Sequence, residues 1–364
     1  MTSSLHRSLW IGTYPRPGAA PGTGEGVWRA DLDLASGTFG QAARAADVAS
    51  PSFLALHPSG RTLYAVTETQ DGALAVLGLG AGGAEAAGPA LVGSVTSGGA
   101  DPCHVVATMD HVWVANYSSG TATVWPVDDD GRLSGTWRTF GHAGSGPVTD
   151  RQEGPHAHFV HVQADRVLVS DLGTDELRAY PLNGCGDGAV VATLPPGTGP
   201  RHVVELPEGV LVVVGELDCR LHVLVPDGVE GGLLRHAGSV PVTGAMSDDG
   251  SPGFPSHLAL SPDGSRLYVG VRGPDVLAVL GVDGVVGHPR LTHLADVPLG
   301  ERVWPRHHAV LDAPEADIVV VAAQGTTPEG TFGLVAVRVD RTTGKGEVTG
   351  TLDLPVPAAC VLEA

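Results

Sequence analysis

The stretch Arg151-Gln152-Glu153-Gly154-Pro155-His156-Ala157-His158 decides how the chain is to be read, because its core is not unique. A proline one or two residues ahead of an apolar strand, most often as Pro-x-His, stands also at Pro51 (Pro-Ser-Phe-Leu), Pro102 (Pro-Cys-His-Val) and Pro200 (Pro-Arg-His-Val). It returns at Pro255 (Pro-Ser-His-Leu), Pro305 (Pro-Arg-His-His) and Pro357 (Pro-Ala-Ala-Cys). With Pro155 these make seven anchors, whose numbers differ successively by 51, 53, 45, 55, 50 and 52. Self-similarity at a period near ~50 residues marks stacked supersecondary units such as propeller blades.

Between anchors, 52 Gly and 28 Pro punctuate short Val, Leu and Ala runs, which predicts many short strands joined by turns and almost no helix. The repeat at Pro51 shows the pattern: Phe53-Leu54-Ala55-Leu56, the turn His57-Pro58-Ser59-Gly60, then Thr62-Leu63-Tyr64-Ala65-Val66. The long polar stretches 141–150 and 245–253 read as loops between units. The N-terminal segment supplies two strands, Ser8 to Tyr14 and Gly26 to Asp33, with no anchor before them, and Pro357 is an anchor with nothing after it. The two ends are therefore expected to complete one blade and close the ring. The fold class that follows is all-β: a seven-bladed propeller of four-stranded antiparallel blades, one domain over residues 1–364.

A formal charge of -19 sets net repulsion against nucleic acid and anionic membranes, so neither is expected as a partner. Lys345 is the one lysine, so positive charge is almost all arginine, the residue suited to gripping planar anions. Cys103, Cys185, Cys219 and Cys360 form no C-x-x-C and no regular framework, and residues 1–10 lack a secretory pattern; a reducing cytoplasm is the expected compartment. No apolar run approaches the ~18 residues of a membrane helix. Ring closure makes a monomer the default.

In an antiparallel meander the start of the first strand and the end of the second share one edge. The polar residues ending second strands, Glu68, Asn116, Asp171, Glu216, Arg272 and Gln324, should therefore meet the anchors at the mouth of the central channel. The converging chemistry includes His104, His156, His158, Arg201, His202, His257, Arg306 and His307. A Pro-x-His that recurs from blade to blade is the pattern of a packing device, its imidazole bonding a neighbouring backbone, and this applies to His104, His202 and His257. His156, standing where other repeats have Ser, Cys or Arg, and the blade-specific Glu216 and Arg272 are the stronger functional candidates. His156 and His158 could form a metal pair, but no third ligand has a clear spacing, so no metal or other cofactor is expected. Gly22-Thr23-Gly24-Glu25-Gly26 lies between strands and reads as a hairpin loop, not a phosphate cradle. No Gly-x-Ser-x-Gly or His-Glu-x-x-His is present. Asp171 and Asp175 read as turn caps.

These residues resemble the seven-bladed propeller lactonases, which include the propeller-type 6-phosphogluconolactonases and carboxy-cis,cis-muconate cyclases. The similarity spans nearly the whole chain and rests on Ile11-Gly12-Thr13-Tyr14, Ala115-Asn116-Tyr117, Gln152 to His158, Asp171-Leu172-Gly173-Thr174-Asp175, Gly199-Pro200-Arg201-His202, Glu216-Leu217 and Ser261-Pro262-Asp263-Gly264, besides the anchors at Pro51 and Pro102. The resemblance implies a site of one His, two Arg and one Glu, at His156 (or His158), Arg201, Arg272 and Glu216. Its usual Asn before that Glu and that Arg is replaced by Gly215 and Val271, which reshapes the pocket.

The expected function is metal-independent hydrolysis of a lactone of a small anionic substrate, a sugar acid or sugar phosphate. Arg201 and Arg272 would hold the anion and the developing oxyanion, and His156 or Glu216 would activate water. His158, His104, Asn116, Arg306 and His307 complete the set as candidate substrate contacts. A cycloisomerase or lyase of an unsaturated acid would use the same residues. A non-catalytic scaffold is the third possibility, and a channel filled by side chains would favour it.

Overall fold

The computed structural model describes residues 5–80, 88–228, 232–285, 288–327 and 329–364. Seven antiparallel sheets form a closed ring, and we number them as blades 1 to 7 from the sheet that holds both chain ends. Blades 2 to 7 have four strands each; the outer strand of blade 1 is split into Thr38–Phe39 and Ala43–Ala46. In blade 1 the C-terminal strand Ala358–Glu363 lies inside the N-terminal strand His6–Thr13, pairing Leu9 with Glu363 and Ile11 with Val361. The only helical element among the described residues is a 3-10 turn at Pro207–Gly209.

The innermost strands of consecutive blades touch one another all the way round, with Ala358–Glu363 between Pro305–Ala313 and Pro51–Leu56. Second strands are covered on both faces by neighbouring blades, which is why Val210–Gly215 reads Val-Leu-Val-Val-Val-Gly and is wholly buried. One apolar cluster fills each interface between blades. Leu9 and Ile11 pack toward blade 7 and Trp10 toward blade 2. Each is buried, a gain of roughly 1.5–3 kcal/mol per side chain, and together they hold the ring shut.

Every inner strand carries one extra residue just after its start. Pro102 pairs with Asn116 and His104 with Ala115, so Cys103 is left over. The same slip follows Pro51, Ala157, Pro200, Pro255, Pro305 and Ala358. A bulge of this kind re-aims side chains. Proline can occupy the strand start because it has no ladder N–H to give. In blades 4 and 1 that place belongs to Ala157 and Ala358, so Pro155 and Pro357 lie two and one residues ahead of it. The seven prolines are therefore not equivalent in the structure, although the seven repeats are.

Candidate active site

The bulge sorts the channel residues into three tiers. The residue after the one that pairs with each inner-strand start gives an upper tier of Tyr14, Glu68, Tyr117, Leu172, Glu216, Arg272 and Gln324, with the start in blade 6 taken at Pro255. The residue after each inner-strand start gives a middle tier of Ala359, Ser52, Cys103, His158, Arg201, Ser256 and Arg306. All of these but Ser256 line a narrow cleft, together with Tyr14, whose volume of about 10 Å³ is about the room of one water. One residue deeper come Cys360, Phe53, His104, Phe159, His202, His257 and His307.

The lowest tier is a plug. Ring centroids run Phe53 to His104 4.4 Å, His104 to Phe159 4.1 Å, Phe159 to His202 4.4 Å, His202 to His257 4.8 Å and His257 to His307 3.9 Å. Phe53 and His307 close the circle at 5.0 Å across the small Cys360. His104 Nδ1 accepts from the Val160 N–H and His307 Nδ1 from the Val361 N–H, each in the next blade. Burial presses His104 down to about 3, and burial with neighbouring charges holds His202, His257 and His307 well below the usual range, so these rings stay neutral. The channel is filled at this level, a trait a scaffold would share, and the plug forms the floor of the polar cavity above.

Glu216 is the hub of an ion-pair cluster that adjoins the cleft through Arg201. Its Oε2 accepts from Arg201 Nε at 2.8 Å and Arg272 at 3.0 Å, and its Oε1 accepts from Arg151 at 2.6 Å. Burial alone would raise the Glu216 carboxyl, but the surrounding guanidiniums, Arg272 foremost, hold it well below the usual carboxylate range. Burial next to Arg272 and Arg306 pushes Arg201 down to about 9. Arg201 also donates to the Ser256 carbonyl at 2.6 Å, and Arg272 to the Phe254 and Pro255 carbonyls, which fixes both guanidiniums. A second group adjoins the first: Tyr14 donates to Glu68 at 2.7 Å and accepts from Arg306 at 2.9 Å. Four guanidiniums thus face two carboxylates, an excess of positive charge that a small anion would balance.

His158 lies in the cavity wall. Burial and Arg201 keep its imidazole well below the ordinary histidine value, hence neutral, and its Nδ1 has no partner. Ser52 Oγ and Gln324 Oε1 are likewise buried and unpartnered, polar capacity that a ligand would satisfy. His156 sits at the rim, stacked on Tyr117 at 4.4 Å, with Nδ1 donating to the Tyr117 carbonyl and Nε2 3.2 Å from Glu153. Both of its nitrogens face acceptors, so no lone pair points into the cavity.

The structure places Arg201, Arg306, His158 and His307 around one cleft, and Glu216 and Arg272 adjoin it through the ion pairs of Glu216 with Arg201 and Arg272. It assigns the place of Ser, Cys and Arg in other repeats to His158, not His156, correcting the alignment of that blade on Pro155. Asn116 does not reach the mouth: its amide donates to the Ser97 carbonyl and to the hydroxyls of Thr121 and Thr123, inside the sheet packing. His104 lies in the floor. Asp171 caps the turn by accepting the backbone N–H groups of His156, Gly173 and Thr174. Glu25 does the same in the 22–26 hairpin, accepting from Thr23 and Ser50.

Sequence reasoning missed Tyr14, Tyr117 and Arg151. Aligning Gly12-Thr13-Tyr14 with Ala115-Asn116-Tyr117 and Thr67-Glu68 would have found the tyrosines. Arg151 comes from the loop before blade 4, where Gln152 ties the backbone to the Leu172 carbonyl and Asp175. Gly173 permits the close approach, since a Cβ there would run into the Gly154 carbonyl. Among the described residues no three His, Cys, Asp or Glu side chains converge in a way that could hold a metal ion.

Residues 8–362 match the family model of the seven-bladed beta-propeller lactonases. The 6-phosphogluconolactonase of Bacillus subtilis strain 168 is 29% identical over 366 residues, covering 97% of each chain. A solved structure of a protein from Lactobacillus plantarum has a TM-score of 0.81 at 28% identity, covering 99% of this chain and 100% of that one. The periplasmic gluconolactonase of Pseudomonas aeruginosa superposes with a TM-score of 0.83 at 24% identity, over 98% of this chain and 99% of that one. The chain therefore belongs to the seven-bladed β-propeller lactonase family.

Proposed function

We propose that this protein hydrolyses the lactone of a small anionic sugar acid, of the 6-phosphogluconolactone class, at the mouth of the central channel and without a metal ion. The observation that carries the reading is the cluster of Arg151, Arg201, Arg272 and Arg306 around Glu216 and Glu68, with Arg201, Arg272 and Glu216 buried, set beside the neutral His158. Membership of the lactonase family and the similarity to the B. subtilis enzyme support an enzyme over a scaffold.

The anionic group of the substrate pairs with the excess guanidinium charge. Arg201 or Arg272 donates to the carbonyl oxygen, which becomes negative as water adds; fixed donors of this kind are worth ~2.7–4 kcal/mol each at a developing oxyanion. His158 takes the proton of the attacking water. It is a weak base because it is buried and because Arg201 is near, and a bound anion offsets the positive field and strengthens it. Glu216, held as an anion by three arginines, is a poor proton acceptor; its part is to position Arg201 and Arg272. At about 10 Å³ the cleft has no room for a sugar lactone, beside the ~300–1,000 Å³ of drug-sized ligand sites, so binding requires side chains to move, and the half-exposed Arg151 parting from Glu216 opens the way.

The test is 6-phosphogluconolactone opening, corrected for spontaneous hydrolysis, by the unaltered protein and by Arg272→Ala. Acceleration that the substitution reduces by about 10²-fold or more is expected. No acceleration by the unaltered protein would remove this substrate class.

A further inference from the structure

Ring opening expels an alkoxide, which needs a proton, and few groups in the cavity can give one. The Arg201 and Arg272 guanidiniums are turned to Glu216 and to the carbonyls of Ser256, Phe254 and Pro255. Glu216 is ionised and His158 is neutral with its base function engaged by water. The Cys103 thiol is engaged by the backbone carbonyls of Ala115, Ala157 and His158 at 3.4–3.8 Å. Tyr14 remains, and three features fit it for the task. It lines the cavity together with His158 and Arg201, in the upper tier of blade 1. Its oxygen accepts a hydrogen bond from Arg306 at 2.9 Å, and the Arg306 guanidinium lies 5.5 Å from its ring, so a phenolate would form beside a fixed cation. Its O–H is held by Glu68 at 2.7 Å, a carboxylate partly open to solvent that can hand a proton back.

We propose that Tyr14 is the general acid of the reaction, donating its phenolic proton to the ring oxygen as the acyl C–O bond breaks, an assignment that rests on the lactonase reading above. In the full cycle His158 removes one proton from water and the water oxygen bonds to the carbonyl carbon. The C–O bond to the ring oxygen then breaks, and the released electron pair takes the Tyr14 proton. The Tyr14 phenolate regains a proton from the His158 imidazolium by way of solvent and Glu68. Lactone and water become hydroxy acid, and no co-reactant is consumed. Burial keeps Tyr14 protonated at neutral pH, so the donor is loaded before substrate arrives.

The experiment compares kcat and KM of the unaltered protein, Tyr14→Phe and Glu68→Gln on 6-phosphogluconolactone, with thermal melts to verify folding. Tyr14→Phe is expected to lower kcat about 10²-fold or more while KM stays within a factor of ~3, the range of a lost general acid. Glu68→Gln, which leaves the phenol in place, is expected to lose less and to show a reduced solvent deuterium isotope effect on kcat. Retention of kcat by a folded Tyr14→Phe protein, or a loss confined to KM, overturns the assignment and leaves the lactonase reading intact. Inactivity of the unaltered protein overturns that reading and the assignment with it. If Tyr14→Phe does not fold, an unchanged kcat and isotope effect in Glu68→Gln overturns the assignment.

Discussion

Replacing Glu216 by glutamine tests the hub directly. The amide keeps one acceptor oxygen but presents an NH₂ group to a guanidinium N–H now 2.6–3.0 Å away, and it leaves Arg151, Arg201 and Arg272 around a neutral group. Removing one partner of a buried ion pair costs about 3–5 kcal/mol. Unfolding entropy near 2.1 cal/mol/K per residue gives roughly 0.76 kcal/mol/K over 364 residues, so Tm is expected to fall by ~4–7 °C. Inorganic phosphate should restore more of the melting temperature in the variant than in the unaltered protein, because the variant site has one more net positive charge. For the same reason KM for an anionic lactone should hold or drop: one charge at ~4 Å in a medium of effective dielectric ~20 is worth about 4 kcal/mol. The displaced arginines lose their aim at the oxyanion, and kcat should fall ~10²-fold or more. Differential scanning calorimetry with steady-state kinetics reads both effects. A Tm within 1 °C of the unaltered protein, or a tenfold rise in KM at constant kcat, would refute the account of Glu216 as the charge that organises the cluster.

Two further outcomes follow from the histidines. His158→Gln should reduce kcat on 6-phosphogluconolactone ~10²-fold, whereas His156→Gln, whose ring nitrogens face Tyr117 and Glu153, should stay within about tenfold; the reverse order in stopped-time assays would return the base to His156. Six buried imidazoles, His104, His158, His202, His257, His307 and His308, have folded-state values depressed by burial. The unfolded chain therefore binds more protons than the native one below the unfolded histidine value near ~6.5, so stability is full above that pH and falls as pH drops toward the folded values. Each ring contributes up to ~1.4 kcal/mol per pH unit, and urea titrations at pH 7.5 and 5.5 should differ by several kcal/mol; equal midpoints would count against a neutral plug.

The seven repeats, the strand-turn-strand grammar inside them and the sharing of one blade by the two ends were legible in the linear chain, because each depends on local periodicity and turn chemistry. So were the residue types that crowd the channel: Glu216, Arg201, Arg272 and Arg306 stand at repeat positions where neighbouring blades carry other residues. Which side chains enter the cavity was a different matter. Strand side chains alternate with a period of two, so one extra residue in an inner strand turns its successors to the other face. The strand start at Ala157, with the bulge at His158, separates His158 from His156, and a one-residue offset on the second strands separates Tyr117 from Asn116 and Leu172 from Asp171. Nothing in the Pro-x-His pattern marks Pro155 as lying two residues ahead of its strand rather than at its start. Arg151 is further still from local rules, since it reaches Glu216 from a loop, 65 positions earlier in the chain, whose path is set by the Gln152 tether and by packing against blade 4. Tertiary structure decided these points because bulge register and loop path minimise the free energy of the closed ring as a whole, and no window of sequence contains that sum.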